Sequence, residues 1–381
     1  MKILVAIDSF KGSLSSLQAG EAVKSGILKA APSADVQVSP VADGGEGTVE
    51  ALVYGMGGHL RSVTVTGPTG NPVTAQYGIL PMDGTAIIEM AAAAGLPLVP
   101  KADRNPFFTT TRGVGELICD AISQKCRRFL IGIGGSASND GGLGMLQALG
   151  FDFLDSDGTS VPLGAIGLSV LSEISTIQVL PELKDCQFRI ACDVNNPLCG
   201  EHGCSTVFGP QKGATPEMVI EMDSWLCRFA ELTKRHFPNS DPDYPGSGAA
   251  GGLGFAFMSF LNASLEPGIR IILEETQLEN KIQTADLIVT GEGRLDAQTM
   301  MGKAPSGVAA LAKKHSKPVL AFAGSVSPEA SVCNIPGIDA FFPILRNICT
   351  LEEAMQPEVA AQNLSDAAEQ VFRLINVLQK L

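Results

Sequence analysis

The chain is short of basic residues. Its 381 residues include 27 Lys and Arg against 40 Asp and Glu, and the net charge at pH 7 is −13. Binding to DNA or RNA depends on a surplus of cations that displaces counterions from the phosphates. The composition therefore argues against a nucleic acid partner. An anionic small molecule would have to be bound by local lysine, arginine and backbone amide groups.

Long apolar runs are also missing. No stretch reaches the ~20 residues that a membrane-spanning helix needs, and the N-terminal MKILVAIDSF becomes polar too early for a signal peptide. The nine cysteines form no C-x-x-C pair, and Cys199, His202 and Cys204 match no standard zinc spacing. We therefore expect reduced thiols, a cytoplasmic location and no membrane partner, while the oligomeric state stays open.

Two common catalytic signatures are absent as well. No G-x-S-x-G elbow accompanies the four histidines, which disfavours a Ser–His hydrolase. Gly302–Ala304 resembles the end of a P-loop, but Ala297 occupies the upstream glycine position and no Ser or Thr follows Lys303. Any nucleotide site is therefore of another type.

The chain is long enough for two domains. Near both ends, buried apolar strands such as Ile3–Ile7 and Ala285–Thr290 alternate with glycine loops and helices. This rhythm predicts a parallel sheet with ligand-binding loops at the carboxyl ends of its strands. After Arg61, strands joined by Gly/Pro turns predict antiparallel pairing. We predict an α/β fold in which residues 1–66 plus 285–381 form a discontinuous domain and residues 67–284 form an inserted α/β domain with the Gly-rich loops.

The most informative segment is Ile131–Gly150, IGIGGSASNDGGLGMLQALG. An apolar strand, Phe129–Ile133, runs into a turn rich in glycine, and a helical segment follows. Backbone amides in such a turn, together with a helix start, suit a phosphate or carboxylate group. The overlapping pattern Gly132-x-Gly134-x-x-Ala137 is close to a dinucleotide fingerprint, but no acidic partner is found at the expected later strand end.

Charged residues follow the first two predicted strands. Lys11, in the segment Asp8–Ser13, is placed to meet an anion, or is a solvated loop lysine. Asp43 and Glu46 lie in a glycine-rich loop, where carboxylate oxygens suit Mg²⁺, although Asp43 could instead cap the next helix. The loop composition favours the functional interpretation of this pair.

Later segments have the same character. Asp193 closes a predicted strand and is suited to act as a base toward a substrate hydroxyl, or to form an Asx turn. Glu292 and Asp296 could bind a metal, and Arg294 could clamp an anion or pair with either acid. Lys212 is an anion contact or an exposed turn lysine. Together these residues favour phosphoryl transfer to a small acidic acceptor, which needs positioning, Mg²⁺ and charge neutralisation rather than a covalent nucleophile.

Seven motifs, in this order, resemble those of the bacterial glycerate kinase family, the type that includes the glycerate 2-kinases. The motifs are DSFKGSLSS at Asp8–Ser16, PVADGGEGT at Pro40–Thr48, IGIGGSASNDGGLGM at Ile131–Met145, CDVNNPLCG at Cys192–Gly200, VFGPQKGA at Val207–Ala214, PGSGAAGGLG at Pro245–Gly254 and TGEGRLDAQTMMGKAP at Thr290–Pro305. The resemblance runs almost end to end, and the combination is specific even though no single motif is.

The resemblance implies ATP-dependent phosphorylation of D-glycerate, most directly to 2-phosphoglycerate, with ATP and Mg²⁺ as cofactors. It implies a discontinuous Rossmann-like domain, an inserted α/β domain and an active site in the cleft between them. Asp193 is then the expected base, while Lys11 and Arg294 would neutralise the substrate carboxylate or the moving phosphoryl group. The expected Mg²⁺ ligands are Asp43, Glu46 and Asp296, and the residues expected to hold an anionic group of the cofactor are Gly134, Gly135, Ser136, Asn139, Gly141 and Gly142.

Two functions of other classes stay open. One is a nicotinamide-dependent oxidoreductase of a small hydroxy acid, which the 132–137 pattern suggests. The other is a non-catalytic module that binds a sugar acid, and the intact set of acids and cations argues against it.

Overall fold

The structure, a computed structural model, describes residues 1–300, 302–335 and 337–378. Its strands are β1 (Lys2–Val5), β2 (Asp35–Val38), β3 (His59–Thr66), β4 (Pro72–Leu80), β5 (Thr85–Glu89), β6 (Arg128–Gly132), β7 (Asp152–Leu154), β8 (Glu173–Ser175), β9 (Gln187–Ala191), β10 (Ser264–Glu266), β11 (Leu287–Leu295), β12 (Val319–Val326) and β13 (Ala340–Pro343). Its α-helices are α1 (Ser16–Ala30), α2 (Thr48–Met56), α3 (Ala91–Ala94), α4 (Arg112–Ser123), α5 (Leu143–Ala148), α6 (Ala165–Val170), α7 (Cys204–Phe208), α8 (Pro216–His236), α9 (Ala249–Leu261), α10 (Gly268–Glu275), α11 (Leu278–Thr284), α12 (Ala304–Lys314), α13 (Leu351–Ala354) and α14 (Pro357–Leu378).

The chain forms two compact units. Unit 1 comprises Met1–Met56 together with the chain from Ile269 onward, and unit 2 comprises Gly57–Gly268. Both are α/β units, as the sequence predicted, and the parallel sheet predicted from the two ends of the chain is that of unit 1.

Unit 1 is built on a five-stranded parallel sheet with the order β13-β12-β11-β1-β2. Strand β1 lies between β2 and β11, so that Val5 is paired with Val38 on one side and Val289 on the other. Its residues Ile3–Val5 are buried, because helices cover both faces of a parallel sheet. This explains why the sequence of β1 is continuously apolar instead of alternating.

Helices α1 and α14 pack against each other beside this sheet. Helix α1 begins with a capping box, in which the Ser15 hydroxyl accepts from the Gln18 amide and the Gln18 side chain accepts from the Ser15 amide. The N-cap residue of α1 is therefore Ser15. Gly26 lies where the two helices approach most closely, since an added Cβ would be 2.0 Å from the Ser365 carbonyl oxygen.

Unit 2 is built on a six-stranded mixed sheet with the order β10-β9-β6-β5-β4-β3. The antiparallel pairing predicted after Arg61 is present in β3, β4 and β5, while β5, β6, β9 and β10 are parallel. Helices and loops pack on this sheet around an aromatic cluster in which the rings of Phe153, Phe229 and Phe260 lie about 6 Å apart. Because β5, β6, β9 and β10 are parallel, their carboxyl ends lie at one edge of the sheet.

The boundaries of the units differ from the predicted ones. The first predicted boundary follows Thr66, but β3 pairs with β4 along its whole length and belongs to unit 2. The second boundary, placed at Ala285, lies at Ile269, because helices α10 and α11 belong to unit 1. The segment that begins at Leu351 forms two helices, and the second starts at Pro357, because proline favours the first turn of a helix and not its interior.

Among the described residues, we find no helix with both the length and the apolar character needed to cross a bilayer.

The close approach at Gly26 gives a stability prediction. In Gly26→Ala the new methyl group collides with the backbone of α14, so we expect the free energy of unfolding to fall by about 1–3 kcal/mol in urea titrations. Gly55→Ala is the matched control, since Gly55 is an exposed glycine of α2 whose added Cβ would be 3.8 Å from the Thr276 methyl group. In this control variant the free energy of unfolding should stay the same or rise by up to ~1 kcal/mol, because alanine has a higher helix propensity than glycine. Equal stabilities of the two variants would contradict the packing.

Candidate active site

The edge of the unit 1 sheet at the carboxyl ends of its strands is the first candidate region. From β1 the chain passes first to β2 on one side, and the next strand of the sheet, β11, lies on the other side of β1. Ligands of open parallel sheets bind at such a switch point, because the connections leave a crevice there. Three acidic residues lie after or within these strands, namely Asp8 after β1, Asp43 after β2 and Glu292 in the second half of β11.

Asp8 is the most buried of these acids, with 2% of its surface exposed. Its Oδ1 accepts a hydrogen bond from the Ser9 amide at 2.6 Å. Burial and the nearby Asp43 carboxylate disfavour its charged form and raise the pKa of Asp8 to about 7. The sequence did not single out Asp8, although its position directly after the predicted β1 is a usable signal.

Lys11 and Asp43 form an ion pair across this edge, with Nζ and Oδ2 3.3 Å apart. The Gly45 amide fixes the other carboxylate oxygen at 3.1 Å. Burial opposes the charge of Lys11, but the Asp43 and Asp8 carboxylates outweigh it, and the pKa of Lys11 is raised. The lysine side chain keeps 55% of its surface exposed and can reach a ligand. Glu46, in the same loop, is exposed.

Glu292 is buried and is held by neighbours from its own segment. Its Oε1 accepts from the Thr299 hydroxyl at 2.6 Å, and Lys303 Nζ lies 3.9 Å from Oε2. Burial raises the pKa of Glu292. Arg294 lies further out on β11, 67% exposed, with its Nε 3.5 Å from Asp296. The structure thus groups Lys11 with Asp43 and Arg294 with Asp296.

The donor set of this region fits magnesium. In the described part of the chain no three His, Cys, Asp or Glu side chains are grouped closely enough to hold a metal ion by themselves. Magnesium needs no such cage, since it is usually held by one or two carboxylates and by phosphate oxygens of the substrate. Asp8, Asp43 and Glu292 also act on one another as like charges, and a cation would relieve that repulsion.

The glycine-rich turn follows β6 in unit 2 and is held from inside by Asp140. This carboxylate is fully buried and accepts from the Thr111 amide and hydroxyl, both at 2.9 Å, and from the amides of Gly142 and Gly144. Burial raises the pKa of Asp140. Gly142 has a φ of +78° and lies so close to α9 that an added Cβ would be 2.4 Å from the Ala256 methyl group. The glycine there serves packing and backbone shape.

Only part of this turn is available to a ligand. The amides of Gly141 and Gly142 donate to the Gly251 carbonyl and to Asp140, so they are occupied inside the protein. Asn139 is buried and donates to Ser205 at 2.8 Å. The exposed part is Gly134–Gly135, followed by Ser136, which is 7% exposed.

The helix expected after the turn is α5, which has only six residues. Its N-terminus lies at Gly142, several residues beyond the exposed part of the turn, and a dinucleotide fingerprint would place it nearer. A helix dipole therefore adds little at Gly134–Ser136.

Lys212 lies beneath the turn and is 2% exposed, so the alternative of an exposed turn lysine was wrong. Its Nζ donates to the Ser136 hydroxyl at 2.8 Å and to the Ser138 carbonyl at 2.6 Å. No sequence pattern indicated this contact, because it joins residues 76 positions apart.

Asp193 follows β9 at the same edge of the unit 2 sheet and is exposed. Its Oδ1 accepts from the amide of Gly268, the first residue of α10, at 3.0 Å. This bond fixes the direction of an accessible carboxylate.

Several known proteins that are similar to this chain are named glycerate kinases. The sequence model of the glycerate kinase family matches residues 3–376. The chain is 48% identical to the "Glycerate 2-kinase" of Escherichia coli K12 over 93% of both chains, and 46% identical to the "Glycerate kinase" of Bacillus subtilis 168 over 100% of this chain and 99% of the relative. A crystal structure from Salmonella typhimurium LT2, provisionally assigned as glycerate kinase 2, superposes with a TM-score of 0.91 at 45% identity and full coverage of both chains.

The raised pKa of Asp8 predicts a pH-dependent stability. A carboxyl whose folded pKa of about 7 exceeds its unfolded value of 3.8 favours folding most at low pH, and this contribution is lost as the pH rises toward 7. Wild type should therefore lose on the order of 2 kcal/mol relative to Asp8→Asn between pH 5 and pH 8. Thermal unfolding in metal-free buffer measures this difference. A constant gap between the two proteins would show that Asp8 has an ordinary pKa.

Proposed function

Because this chain belongs to the glycerate kinase family, we propose that it transfers the terminal phosphoryl group of ATP to the 2-hydroxyl of D-glycerate, in the cytoplasm and with Mg²⁺ as cofactor. The observation that carries the proposal is the match of the family over residues 3–376, which includes all seven motifs of the sequence analysis. The relative named "Glycerate 2-kinase" supports the choice of the 2-position.

The charges of unit 1 suit the phosphate side of this reaction. Lys11 and Arg294 have exposed side chains and are each paired with one acid, so they are positioned and still able to reach a phosphoryl or carboxylate group. Asp43, Glu46 and Asp296 would provide the carboxylate oxygens for magnesium, which when bound neutralises phosphate charge. Asp8 and Glu292, buried behind them, would keep the local potential negative enough to attract the cation.

The residues of unit 2 suit the acceptor and an anionic group. Asp193 would accept the proton of the glycerate 2-hydroxyl as that oxygen attacks phosphorus, and its bond to the Gly268 amide keeps the carboxylate oriented for this task. The exposed part of the glycine turn, Gly134–Ser136, would bind a carboxylate or phosphate group through amide and hydroxyl donors. Gly141, Gly142 and Asn139 would act by holding this part in shape, since their own donors are engaged inside the protein.

The reaction is tested on the purified wild-type protein. We expect ADP to form only when ATP, D-glycerate and Mg²⁺ are all present, and phosphorus NMR of the product to show 2-phosphoglycerate. A product phosphorylated at the 3-hydroxyl would correct the position. Absence of glycerate-dependent ATP consumption, alongside an active control kinase, would overturn the function.

The role of Asp193 is tested by Asp193→Asn. Asparagine keeps an Oδ1 that can accept from the Gly268 amide but cannot take up a proton, so kcat should fall about 100-fold or more while the melting temperature stays the same. Asp185→Asn is the matched control, since Asp185 is an exposed aspartate before the other end of β9 and should retain full activity. A near-normal kcat in Asp193→Asn would remove Asp193 as the base.

A further inference from the structure

Lys212 is an unusual lysine because its ammonium group is buried and contacts only neutral groups. Its two hydrogen bonds go to the Ser136 hydroxyl and the Ser138 carbonyl. Among residues that the structure describes, no carboxylate oxygen lies within 4.0 Å of its Nζ. A buried cation without an ion-pair partner is costly, and such groups are usually paired.

Two further buried polar atoms in the same turn lack a partner. The Ser138 hydroxyl and Asn139 Oδ1 belong to fully buried residues and form no hydrogen bond. The Ser138 hydroxyl is a donor without an acceptor in the same turn as a buried cation, and buried polar groups usually have a partner, so the turn is suited to be completed by something it binds. Asn139 Oδ1 is an acceptor and does not bear on the charge of that ligand. The positive charge of Lys212 indicates that this ligand is an anion.

The Ser136 hydroxyl connects the buried Lys212 ammonium group with the exposed part of the turn. The Ser136 Oγ accepts from Lys212, so the hydroxyl hydrogen must point elsewhere. A hydroxyl that accepts from an ammonium group becomes a stronger donor. Ser136 lies next to the exposed glycines 134 and 135, where a ligand can approach.

We propose that Lys212 is a positioning residue for an oxyanion site at Gly134–Ser136, where it acts through the Ser136 hydroxyl and the backbone of the turn. This rests on the proposed function, which provides two oxyanions, the carboxylate of D-glycerate and the phosphates of the nucleotide. Both ligands would bind through negatively charged oxygen atoms that accept hydrogen bonds. Separate binding experiments with each ligand show which of them occupies the site.

The groups that act on Lys212 are few. Burial lowers its pKa to about 8, while the buried Asp140 and the Cys204 thiol oppose this effect. The Asp140 carboxylate bonds to Thr111, Gly142 and Gly144 instead of to Lys212. The glycerate carboxylate and the nucleotide phosphates are fully ionised above pH 8. A loss of affinity above this pH therefore results from the titration of a group of the protein and not of the ligand.

The test compares wild type with Lys212→Met by calorimetric titration, separately with D-glycerate and with MgADP. We expect affinity for one of these ligands to fall about tenfold or more, because the Ser136 hydroxyl loses the ammonium group that holds it and strengthens it as a donor. Stability should change little, since an apolar side chain of similar length replaces a buried charge. Lys184→Met, an exposed lysine ahead of β9, removes the same charge and should bind both ligands as wild type does.

Two additional readouts separate this role from a merely structural one. Ser136→Ala should weaken the same ligand as Lys212→Met does, and it decides the question if Lys212→Met fails to fold. In wild type the affinity for that ligand should decline as the pH rises through about 8, whereas in Lys212→Met it should be constant.

Unchanged affinity for both ligands in Lys212→Met or in Ser136→Ala overturns the proposal, as does weakening of different ligands by the two variants. If wild type shows no glycerate-dependent ATP consumption but binds one ligand in a Lys212-dependent manner, the proposed function fails and the oxyanion site remains.

Discussion

The pairing of β1 with β2 on one side and β11 on the other determines where the charges of unit 1 lie. Because all three strands are parallel, the residues that follow them are gathered at one edge of the sheet. Three acids thus meet there, and the most buried of them, Asp8, responds with a pKa raised to about 7. Lys11 and Lys303 offset part of this repulsion. Such an arrangement lowers stability, and a ligand with compensating charge would relieve the repulsion, which supports the proposed metal site.

At the corresponding edge of the unit 2 sheet, buried ionisable residues hold a glycine-rich turn in place. The turn is fixed by two such residues, Asp140 from one side and Lys212 from the other. The Asp140 carboxylate accepts from backbone amides of the turn. The Lys212 ammonium group contacts Ser136 and Ser138, which follow the exposed glycines 134 and 135. A turn held in this way needs little reorganisation when it binds an anion, which is the condition for strong electrostatic stabilisation.

The parallel sheet of unit 1 and the positions of Lys11, Asp43 and Asp193 after strands could be predicted, because strand patterns and loop composition are local signals. The seven motifs identified the family. Sequence reasoning missed the burial of Lys212 and the separation of the turn into an exposed part and an internal part. Both depend on contacts between distant segments, such as Lys212 with Ser136, and no local pattern encodes them. The boundary after Thr66 failed because β3 pairs with a strand that follows it.

We propose that the carboxylates at the unit 1 switch point serve a metal–nucleotide complex. Anomalous diffraction from crystals grown with ADP and Mn²⁺ in place of Mg²⁺ tests it directly. We expect a manganese peak at coordination distance from the Asp43 carboxylate. A well-occupied manganese site that touches no carboxylate of unit 1 would contradict it.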